Sequence, residues 1–279
     1  EMCIRDRYKG KIANRWHNNI SKKLKIIGIT GTNGKTTVAA LIQSCLHSLG
    51  HICGYIGTLG VGVYDYDHSD LTTPSNFKLH QAVADFYQKG VKFVVIEVSS
   101  HAIAQDRIAG IHFDATMFTN LTQDHLDYHG DMKNYGEIKS RLFTEIESKI
   151  KIINCINDFG KKLFSEIQED VIQITNTLVP NEDKGLFLNI EKSSAHGLGY
   201  SVSIQSSWGH KKFNIPLIGA FNVENTSQVI ALLLSYNFNF EEIVSVIKIL
   251  TPPKGRMQLV KITSNKKIPK VYIDFAHTP

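Results

Sequence analysis

The sequence predicts an α/β fold in which helices flank a doubly wound, mostly parallel sheet that carries a small antiparallel addition. Short apolar runs alternate with segments of helical spacing between Leu24 and Thr175, a pattern typical of parallel strands joined by helices. Between Gly185 and Ile218 the pattern changes to closely spaced short strands, which indicates antiparallel pairing. A break at "TPPKGR" is followed by what resembles the opening hairpin of a further α/β domain.

The first elements are a strand, a glycine-rich loop and a helix. "LKIIGIT" is a short apolar run, and "TTVAALIQSCLHSLG" has apolar residues at helical spacing up to Gly50. "GYIGTLG" and "VGVY" then read as extended segments, and "NFKLHQAVADFYQKG" as a helix that ends at Gly90. The apolar run in "VKFVVIEVSS" predicts a central parallel strand buried on both faces.

The later elements continue the alternation. "FDATMFTNL", "KIIN" and "DVIQIT" read as strands, separated by the helices "MKNYGEIKSRLFTEIE" and "DFGKKLFSEIQ". Antiparallel strands are expected in "GYSVSIQSS" and "KKFNIPLIG", followed by the helices "NVENTSQVIALLLSY" and "EEIVSVIKIL". Beyond the break, "RMQLVKITSN" and "KVYIDFAH" are expected to pair as a hairpin.

Composition narrows the class of protein. The 279 residues are 42% hydrophobic and 20% charged, as in ordinary globular proteins. The net charge of +5 is dispersed, so we expect no nucleic-acid partner. The cysteines Cys3, Cys45, Cys53 and Cys155 form no C-x-x-C pair, which favours a reduced, cytoplasmic protein. No apolar stretch approaches the length of a membrane span. We expect a monomer.

The segment "GITGTNGKTT" departs from the usual phosphate-loop pattern. G-x-x-x-x-G-K-[ST] requires a glycine where Ile29 stands. The position between strand and helix nevertheless suits an anion, because successive backbone N–H groups at a helix N-terminus converge on it. Gly31 and Gly34 permit the positive φ of such a nest. Lys35 is expected to neutralise phosphate charge and the Thr36 hydroxyl to bind Mg²⁺; the alternative is a glycine turn with a surface lysine.

Two further candidates follow predicted strands. Glu97 lies at the end of a buried strand, where a carboxylate needs a partner and where ligands of open α/β sheets collect. We expect it to bind Mg²⁺; the alternative is a salt bridge at the strand end. His125 and His129, in "TNLTQDHLDYHGD", are spaced to bind zinc from a helix. Gly130 and the acidic neighbours favour a loop instead, with a histidine near Mg²⁺ or a purely structural pair.

Taken in order, these motifs resemble the Mur ligases of peptidoglycan synthesis. "GITGTNGKTT", "EVSSHAIAQDR", "FTNLTQDHLDYHGD", "YGEIKSRLF", "GAFNVENTSQVIA", "PPKGRMQLV" and "YIDFAHTP" carry the resemblance. It implies a compact G-x-x-G-K-T phosphate loop. It also implies three parts: residues 1–23 as remnant or linker of an N-terminal domain, 24–252 as the central ATP-binding domain, and 253–279 as the start of a truncated C-terminal ligase domain.

The resemblance assigns roles to individual residues. Lys35, Glu97, His125 and Lys139 would be catalytic, with Thr36, Glu97, His125 and a carbamylated Lys139 serving the two Mg²⁺ ions. From the residues alone, Lys139 is a helix-surface lysine. The remaining assignments concern ATP and the substrate. The ATP-binding residues implied are Gly31, Thr32, Asn33, Gly34, Lys35, Thr36, Thr37, Asn222, Asn225, Arg256, Asp274 and His277. Those implied for the substrate are Thr72, Thr73, Ser99, Gln105 and Arg107.

The implied reaction is ATP-dependent amide formation. Among Mur ligases the motifs are most similar to those that add meso-diaminopimelate or L-lysine to UDP-N-acetylmuramoyl-L-alanyl-D-glutamate through an acyl phosphate. The sequence leaves the choice of diamino acid open, and we expect this polypeptide alone not to complete ligation. Three alternatives remain: another ligase of the superfamily similar to folylpolyglutamate synthase, a nucleotide-binding P-loop module without ligase activity, and a zinc hydrolase.

Overall fold

The computed structural model describes residues 2–167, 171–177, 185–260 and 269–275. Its main feature is an 11-stranded sheet in the order β11-β10-β9-β8-β7-β6-β1-β5-β2-β3-β4. The strands are β1 Lys25–Thr30, β2 Cys53–Gly57, β3 Gly60–Gly62, β4 Tyr66–Asp67, β5 Phe93–Glu97, β6 Ala115–Phe118, β7 Ile150–Asn154, β8 Val171–Thr175, β9 Leu186–His196, β10 Gly199–Ser206 and β11 Gly209–Ile215.

Pairing within the sheet agrees with the sequence prediction. From β9 to β2 along the sheet order every neighbouring pair is parallel. The antiparallel addition, β9 to β11, extends one edge, and the short strands β3 and β4 extend the other. Beyond the predicted break, β12 Gln258–Leu259 and β13 Tyr272–Ile273 form a separate antiparallel pair. The predicted hairpin is therefore confirmed.

Helices cover both faces of the sheet, as a doubly wound fold requires. They are α1 Met2–Trp16, α2 Lys35–Ser48, α3 Asn76–Gln88, α4 Ser100–Ala104, α5 Leu126–His129, α6 Met132–Thr144, α7 Asp158–Glu166, α8 Phe221–Ser235 and α9 Phe240–Ile247. Apolar residues of α2, α8 and α9 bury one face of the sheet. Those of α3, α4, α6 and α7 bury the other. No helix among the described residues is long and apolar enough to cross a bilayer.

Alternation along β1 shows why a buried parallel strand reads as one apolar run. Ile27 and Ile29 face the α2 side of the sheet, whereas Ile26 faces the α3 side. Gly28 lies between them, where an added Cβ would lie 2.6 Å from the Phe113 ring. The glycine therefore permits close packing of β1 against that aromatic side chain.

Helix α1 was not predicted from the sequence. From Tyr8 onward its buried residues include Ala13 and Gly10, where a Cβ would lie 2.1 Å from the Ala109 carbonyl oxygen. Asn14 fixes the turn that follows, since the Ser21 hydroxyl donates to its side-chain oxygen at 3.2 Å. The segment before β1 consists of α1 and the 3₁₀ turn Ile20–Lys23 that follows it. This segment is thus packed against the helices that cover the sheet.

Candidate active site

Three adjacent strands place the candidate residues at one edge of the sheet. β1 lies between β5 and β6, and all three are parallel. Ile29 is in register with Glu97, and Thr30 with Phe118. The segments that leave the carboxyl ends of these strands therefore meet, as expected for a ligand site in an open α/β sheet.

The phosphate loop has the geometry predicted from its glycines. Gly31 has φ 146° and Gly34 has φ 87°, and helix α2 begins at Lys35. The loop is also tightly enclosed: Cβ atoms would lie 1.9 Å from the Thr119 hydroxyl at Gly31 and 2.6 Å from the Asn225 side-chain oxygen at Gly34. Glycine is required at both positions for conformation and for space.

Lys35 lies within the loop rather than in solvent. Its Nζ donates to the Gly31 carbonyl at 2.9 Å and to the Thr32 carbonyl at 2.7 Å. Burial lowers the pKa of Lys35, while the charges of Glu97 and Asp124 oppose that shift. The alternative of a surface lysine is therefore wrong, and a cation held at a helix N-terminus suits an anionic ligand.

Glu97 is fully buried, and each oxygen of its carboxylate has hydrogen-bond donors. Tyr55 donates its hydroxyl to Oε1, and the Thr58 N–H donates to the same atom at 2.9 Å. Thr36 Oγ1 donates to Oε2 at 2.8 Å, and Thr58 Oγ1 does so at 3.3 Å. Hydroxyls and an amide thus surround the carboxylate, so the alternative of a salt-bridged strand end does not describe these contacts.

The position of Lys139 differs from the one expected from the sequence. As a residue of the amphipathic helix α6 it was expected at the helix surface, yet it is only 1% exposed. Its Nζ donates to the Gly31 carbonyl at 2.8 Å and lies 4.5 Å from the centroid of the Tyr135 ring. Burial, followed by repulsion from Lys35, holds the pKa of Lys139 well below its usual value, with Asp124 acting in the opposite direction. A neutral amine at this position is a nucleophile.

The two histidines of the "DHLDYHGD" segment have separate environments. The loop expected there is a single helical turn, α5, which His125 begins at φ 53° and Gly130 ends at φ 82°. His125 is half-exposed and its Nε2 lies 3.4 Å from Asp124 Oδ2. His129 is buried, with Nε2 at 2.9 Å from the Ser100 hydroxyl. His125 therefore lines the cavity over the phosphate loop, which is described below, whereas His129 joins α5 to α4.

Aromatic rings fill the space around these two histidines. The His101 ring lies 5.0 Å from that of His125 and 5.5 Å from that of His129. Tyr135 lies 5.1 Å from His129, and its hydroxyl is 3.3 Å from the Thr32 hydroxyl. Burial lowers the pKa of both His101 and His129. The cluster thus connects the phosphate loop, α4 and α6.

The expected substrate residues form one connected group. The Thr73 hydroxyl donates to the Glu97 carbonyl at 2.7 Å and accepts the Ser99 N–H at 3.0 Å. Arg107 donates to the Thr73 carbonyl at 3.1 Å and, through Nε, to Gln105 Oε1 at 2.9 Å. Thr73 is fully buried and bonded to the backbone, so it positions its neighbours.

Two cavities meet at the phosphate loop. The smaller, of about 230 Å³, lies over it. The larger, of about 430 Å³, lies beside α8. Asn33, Gly34, Thr37 and Arg256 line both cavities. The other residues of the smaller cavity are Thr32, Lys35, Thr36, Thr58, Thr72, Ser99, Ser100, Asp124, His125, Tyr135 and Lys139.

The larger cavity holds the residues expected beside the adenosine. Asn225 donates to the Asn222 side-chain oxygen at 3.1 Å, and Asn222 donates to the Ile218 carbonyl at 2.7 Å. Arg256 lies across the junction, with Nη2 at 3.3 Å from the Thr36 hydroxyl. Asp274 lines the cavity and accepts the Met257 N–H at 2.9 Å. His277 lies outside the described residues.

Several site residues were not predicted from the sequence. Tyr55 and Thr58 contact Glu97, and Asp124 and Tyr135 line the phosphate cavity. Asp124 could have been found, because an acidic residue directly before His125 follows a strand at the ligand edge. Tyr55 gave no signal, since an aromatic residue within an extended segment is typical of a strand core.

Comparison with known proteins identifies the family. The Mur ligase middle domain matches residues 29–233. The chain belongs to the Mur ligase family. The resemblance stated from the sequence motifs is therefore confirmed.

Curated members of the Mur ligase family match nearly the whole chain. It is 36% identical over 274 residues to the UDP-N-acetylmuramoyl-L-alanyl-D-glutamate--2,6-diaminopimelate ligase of Haemophilus influenzae (strain PittGG), covering 98% of this chain and 55% of that protein. The enzyme of the same name from Coxiella burnetii is 38% identical over 277 residues, covering 97% and 55% respectively. The chain thus spans about half the length of the curated relatives it matches.

Solved structures confirm the fold. A structure of UDP-N-acetylmuramoyl-L-alanyl-D-glutamate--2,6-diaminopimelate ligase superposes with TM-score 0.79 at 27% identity, covering 92% of this chain and 53% of that one. The apo form of L. casei FPGS superposes with TM-score 0.74 at 15% identity, covering 98% of this chain and 72% of that one. At that identity the second likeness shows the fold alone. The predicted doubly wound sheet of a Mur ligase central domain is confirmed.

Proposed function

We propose that this chain contains the ATP-binding part of a ligase that adds meso-diaminopimelate to UDP-N-acetylmuramoyl-L-alanyl-D-glutamate. The observation that carries the proposal is that Lys35 and a buried Lys139 line one small cavity over the phosphate loop, with Glu97 directly behind its wall, where it accepts the Thr36 hydroxyl. A P-loop switch module has no need of the buried second lysine. The names of the curated relatives support the choice of diaminopimelate over lysine.

ATP is proposed to lie across both cavities. The loop amides from Gly31 to Thr37, together with Lys35, would bind the phosphates over the 230 Å³ cavity. Asn222 and Asn225 would hold the adenine side in the 430 Å³ cavity, and Asp274 the ribose. Arg256 lines both cavities, so it would contact the nucleotide where they join.

The residues present fit the Mg²⁺ ions that the family implies. Thr36 Oγ1 and Glu97 Oε2 are 2.8 Å apart at the phosphate cavity, and hydroxyl and carboxylate oxygens are ligands that Mg²⁺ prefers. His125 faces the same cavity from its other side. When bound, Mg²⁺ would supply charge neutralisation for the phosphoryl oxygens.

Lys139 is proposed to be carbamylated. Carbamylation joins a neutral amine to carbon dioxide and releases a proton, so it requires the lowered pKa that burial gives to Lys139. The product places a carboxylate-like anion beside Lys35, so the repulsion that disfavours a charge on Lys139 is replaced by attraction between the two side chains. The new oxygens would lie in the phosphate cavity, near His125.

The reaction proposed has two displacements. The D-glutamyl carboxylate attacks the γ-phosphorus of ATP, forming an acyl phosphate and releasing ADP. The amine of diaminopimelate then attacks the acyl carbon, the amide forms, and inorganic phosphate leaves with the electron pair of the broken bond. Lys35 would stabilise the charge on the transferring group. Arg107 and Ser99 would hold the anionic substrate beside it, which supplies positioning.

Domain organisation and location are part of the proposal. We assign residues 24–252 to the central ATP-binding domain, residues 1–23 to the segment that joins an N-terminal domain, and residues 253–279 to the start of a C-terminal domain. The family match within residues 29–233 and the separate pairing of β12 with β13 support these boundaries. The unpaired, buried thiols of Cys45, Cys53 and Cys155 support a cytoplasmic location.

The test is ADP formation by the full-length protein from ATP, the UDP-muramoyl dipeptide and diaminopimelate. We expect turnover to require both acceptors and to be lost in Lys139→Met, which keeps the aliphatic chain but removes the amine. Lys133→Met, at an exposed position of the same helix, is the matched control and should retain activity. ATP turnover indifferent to both acceptors, or full activity of Lys139→Met, contradicts the proposal.

A further inference from the structure

The two oxygens of the Glu97 carboxylate differ in their surroundings. Oε1 accepts the Tyr55 hydroxyl and the Thr58 N–H, the latter at 2.9 Å. Tyr55 is fully buried, and the second donor is a backbone amide, whose position is set by the chain rather than by a rotamer. Oε2 faces the hydroxyls of Thr36 and Thr58 at the rim of the phosphate cavity. Each oxygen therefore accepts two donors, which occupy its two lone-pair sites, but the donors differ in kind. Those of Oε1 are a buried phenol and a backbone amide, whereas those of Oε2 are two threonine hydroxyls, which can rotate away when a cation binds.

The direction of the Tyr55 hydrogen bond is fixed by a second contact. The Leu59 N–H donates to the Tyr55 oxygen at 3.3 Å, so that oxygen acts as acceptor toward Leu59. The Tyr55 proton is then directed to Glu97.

Strand register brings these two side chains together. Tyr55 on β2 is in register with Val95 on β5, and Val95 shares a sheet face with Glu97 because the two are two positions apart along the strand. The Tyr55 ring therefore extends along that face to the carboxylate. Gly57 leaves room for the contact, since a Cβ there would lie 2.2 Å from Glu97 Oε1 and 2.6 Å from the Tyr55 hydroxyl.

We propose that Tyr55 is a positioning residue that fixes Glu97 so that Oε2 alone is available to a cation. The inference rests on the proposed function, because it concerns the Mg²⁺ ion that accompanies ATP. Hydrogen-bond partners of metal ligands set the orientation of those ligands, and their loss lowers metal affinity. Tyr55 acts through Glu97 and touches neither the nucleotide nor the cation.

Availability of a single oxygen has a consequence for metal choice. Mg²⁺ requires near-octahedral geometry and binds few carboxylates, whereas Ca²⁺ accepts both oxygens of one carboxylate in a flexible shell. While Tyr55 and the Thr58 amide hold Oε1, the carboxylate favours the smaller ion. Removing the Tyr55 hydroxyl frees one lone pair of Oε1 and relaxes that preference.

The experiment measures binding of a non-hydrolysable ATP analogue to the wild-type chain and to Tyr55→Phe, without metal and over titrations of Mg²⁺ and Ca²⁺. We expect equal affinity without metal. The Mg²⁺ concentration for half-maximal enhancement should rise by about 10-fold to 100-fold in the variant. The Ca²⁺ concentration for half-maximal enhancement should rise less. The ratio of the Mg²⁺ concentration to the Ca²⁺ concentration should therefore be higher in the variant than in the wild type. A change in that ratio is not expected from a general loss of stability.

Two further variants keep the test decisive. Tyr66→Phe removes the hydroxyl of the neighbouring ring, 5.1 Å away, which bonds Gln43 and not Glu97; it should leave both metal curves unchanged. Gly57→Ala places a methyl group against Oε1 while the Tyr55 ring stays intact, and it should shift the Mg²⁺ curve in the same direction as Tyr55→Phe. If circular dichroism shows that Tyr55→Phe does not fold, the metal curves of Gly57→Ala are compared with those of the wild type instead.

The outcomes separate this inference from the proposed function. A wild-type chain that does not bind the analogue contradicts both. Metal-dependent binding by the wild type, with Mg²⁺ curves of folded Tyr55→Phe and Gly57→Ala that superimpose on it, contradicts only the role of Tyr55. Equal shifts in Tyr55→Phe and Tyr66→Phe also contradict that role, because the effect is then not specific to Oε1.

Discussion

The two ends of the proposed nucleotide site are built in different ways. The phosphate cavity is formed by segments that leave three adjacent parallel strands, and hydrogen bonds join its walls across the chain: Thr36 to Glu97, Thr119 to Asn33 and Lys139 to Gly31. The larger cavity lies between α8 and residues at or after the predicted break, namely Pro252, Pro253, Arg256, Met257, Asp274 and Phe275. Its two walls come from different parts of the fold.

The phosphate end carries the charged groups proposed for the chemistry, and the base end carries the residues proposed to recognise the nucleotide. The charged groups of the phosphate end lie mostly on segments that leave the sheet strands. Arg256 is the exception, since it comes from the predicted break and donates to the Thr36 hydroxyl. At the base end, helix α8 packs on the core, whereas the wall that includes Met257, Asp274 and Phe275 comes from the segment after the break. Comparing two probes can test this division: we expect ADP to reach both cavities and pyrophosphate to occupy the phosphate cavity alone.

The largest effect is expected from Lys35→Met. Loss of the only charged donor within the loop's own segment, residues 31–37, should weaken ADP and pyrophosphate alike. In the full-length protein it should reduce ATP turnover by about 10²–10³-fold. Binding is measured by calorimetry and turnover by ADP release. Lys149→Met, at a highly exposed lysine, is the control. Equal turnover by Lys35→Met and this control would show that Lys35 has no role in phosphate binding.

Gly34→Ala should affect both ends of the site, because the glycine lies where the two cavities meet. A Cβ at Gly34 meets the side-chain oxygen of Asn225, whereas Gly50, with φ 83°, has nothing within 4 Å. Both alanine variants should lose about 1–3 kcal/mol of unfolding free energy from backbone strain. Only Gly34→Ala should also lose affinity for ADP and pyrophosphate. Unaltered ADP binding by Gly34→Ala would remove Gly34 from the site.

Asn225→Ala should distinguish the two ends. We expect ADP affinity to fall by about tenfold, as for loss of one or two hydrogen bonds, and pyrophosphate affinity to remain unchanged. Fluorescence competition with the two probes measures both. Asn239→Ala, a helix cap of α9 remote from the cavities, controls for lost stability. A parallel loss of pyrophosphate binding would mean that Asn225 acts on the phosphate loop instead.

The smallest effect on nucleotide binding is expected at His80, which belongs to neither end. Burial lowers the pKa of His80 from its ordinary 6.5, and its Nε2 lies 3.0 Å from the Ala109 carbonyl. Below pH 6.5 the unfolded chain binds a proton that the folded chain resists, so His80 should reduce the unfolding free energy as the pH falls.

His80→Gln should therefore flatten the acid side of the stability profile while leaving ADP affinity unchanged. Urea unfolding on both sides of pH 6.5 measures the slope. His68→Gln, at an exposed histidine, should not change it. A slope that is the same in wild type and His80→Gln would show that His80 titrates normally in the folded chain.

Local patterns predicted the fold and the loop, because each depends on neighbouring residues. Apolar runs marked the parallel strands, and Gly31 and Gly34 marked a turn that requires positive φ. The position of Glu97 followed from a rule about strand ends. These features need no knowledge of which distant residues meet.

Features that depend on long-range packing could not be predicted. Lys139 resembles any polar residue of an amphipathic helix, and only its contact with Gly31, 108 positions away, makes it a buried amine. In the part of α1 from Tyr8 onward, Gly10 and Ala13 are buried whereas Ile12 and Trp16 are exposed, so that part lacked the usual apolar signal. The turn at His125 requires a positive φ at a residue other than glycine, which the sequence did not indicate.

The carbonyl oxygen of Gly31 accepts hydrogen bonds from both Lys35 and Lys139. Each long side chain is already ordered before any ligand arrives, so the rotamer entropy of two lysines, about 2 kcal/mol apiece at most, is lost during folding. A phosphate that binds Lys35 exchanges one oxygen acceptor for another and need not gather a mobile cation from solvent. The entropic cost of ligand capture is thereby reduced.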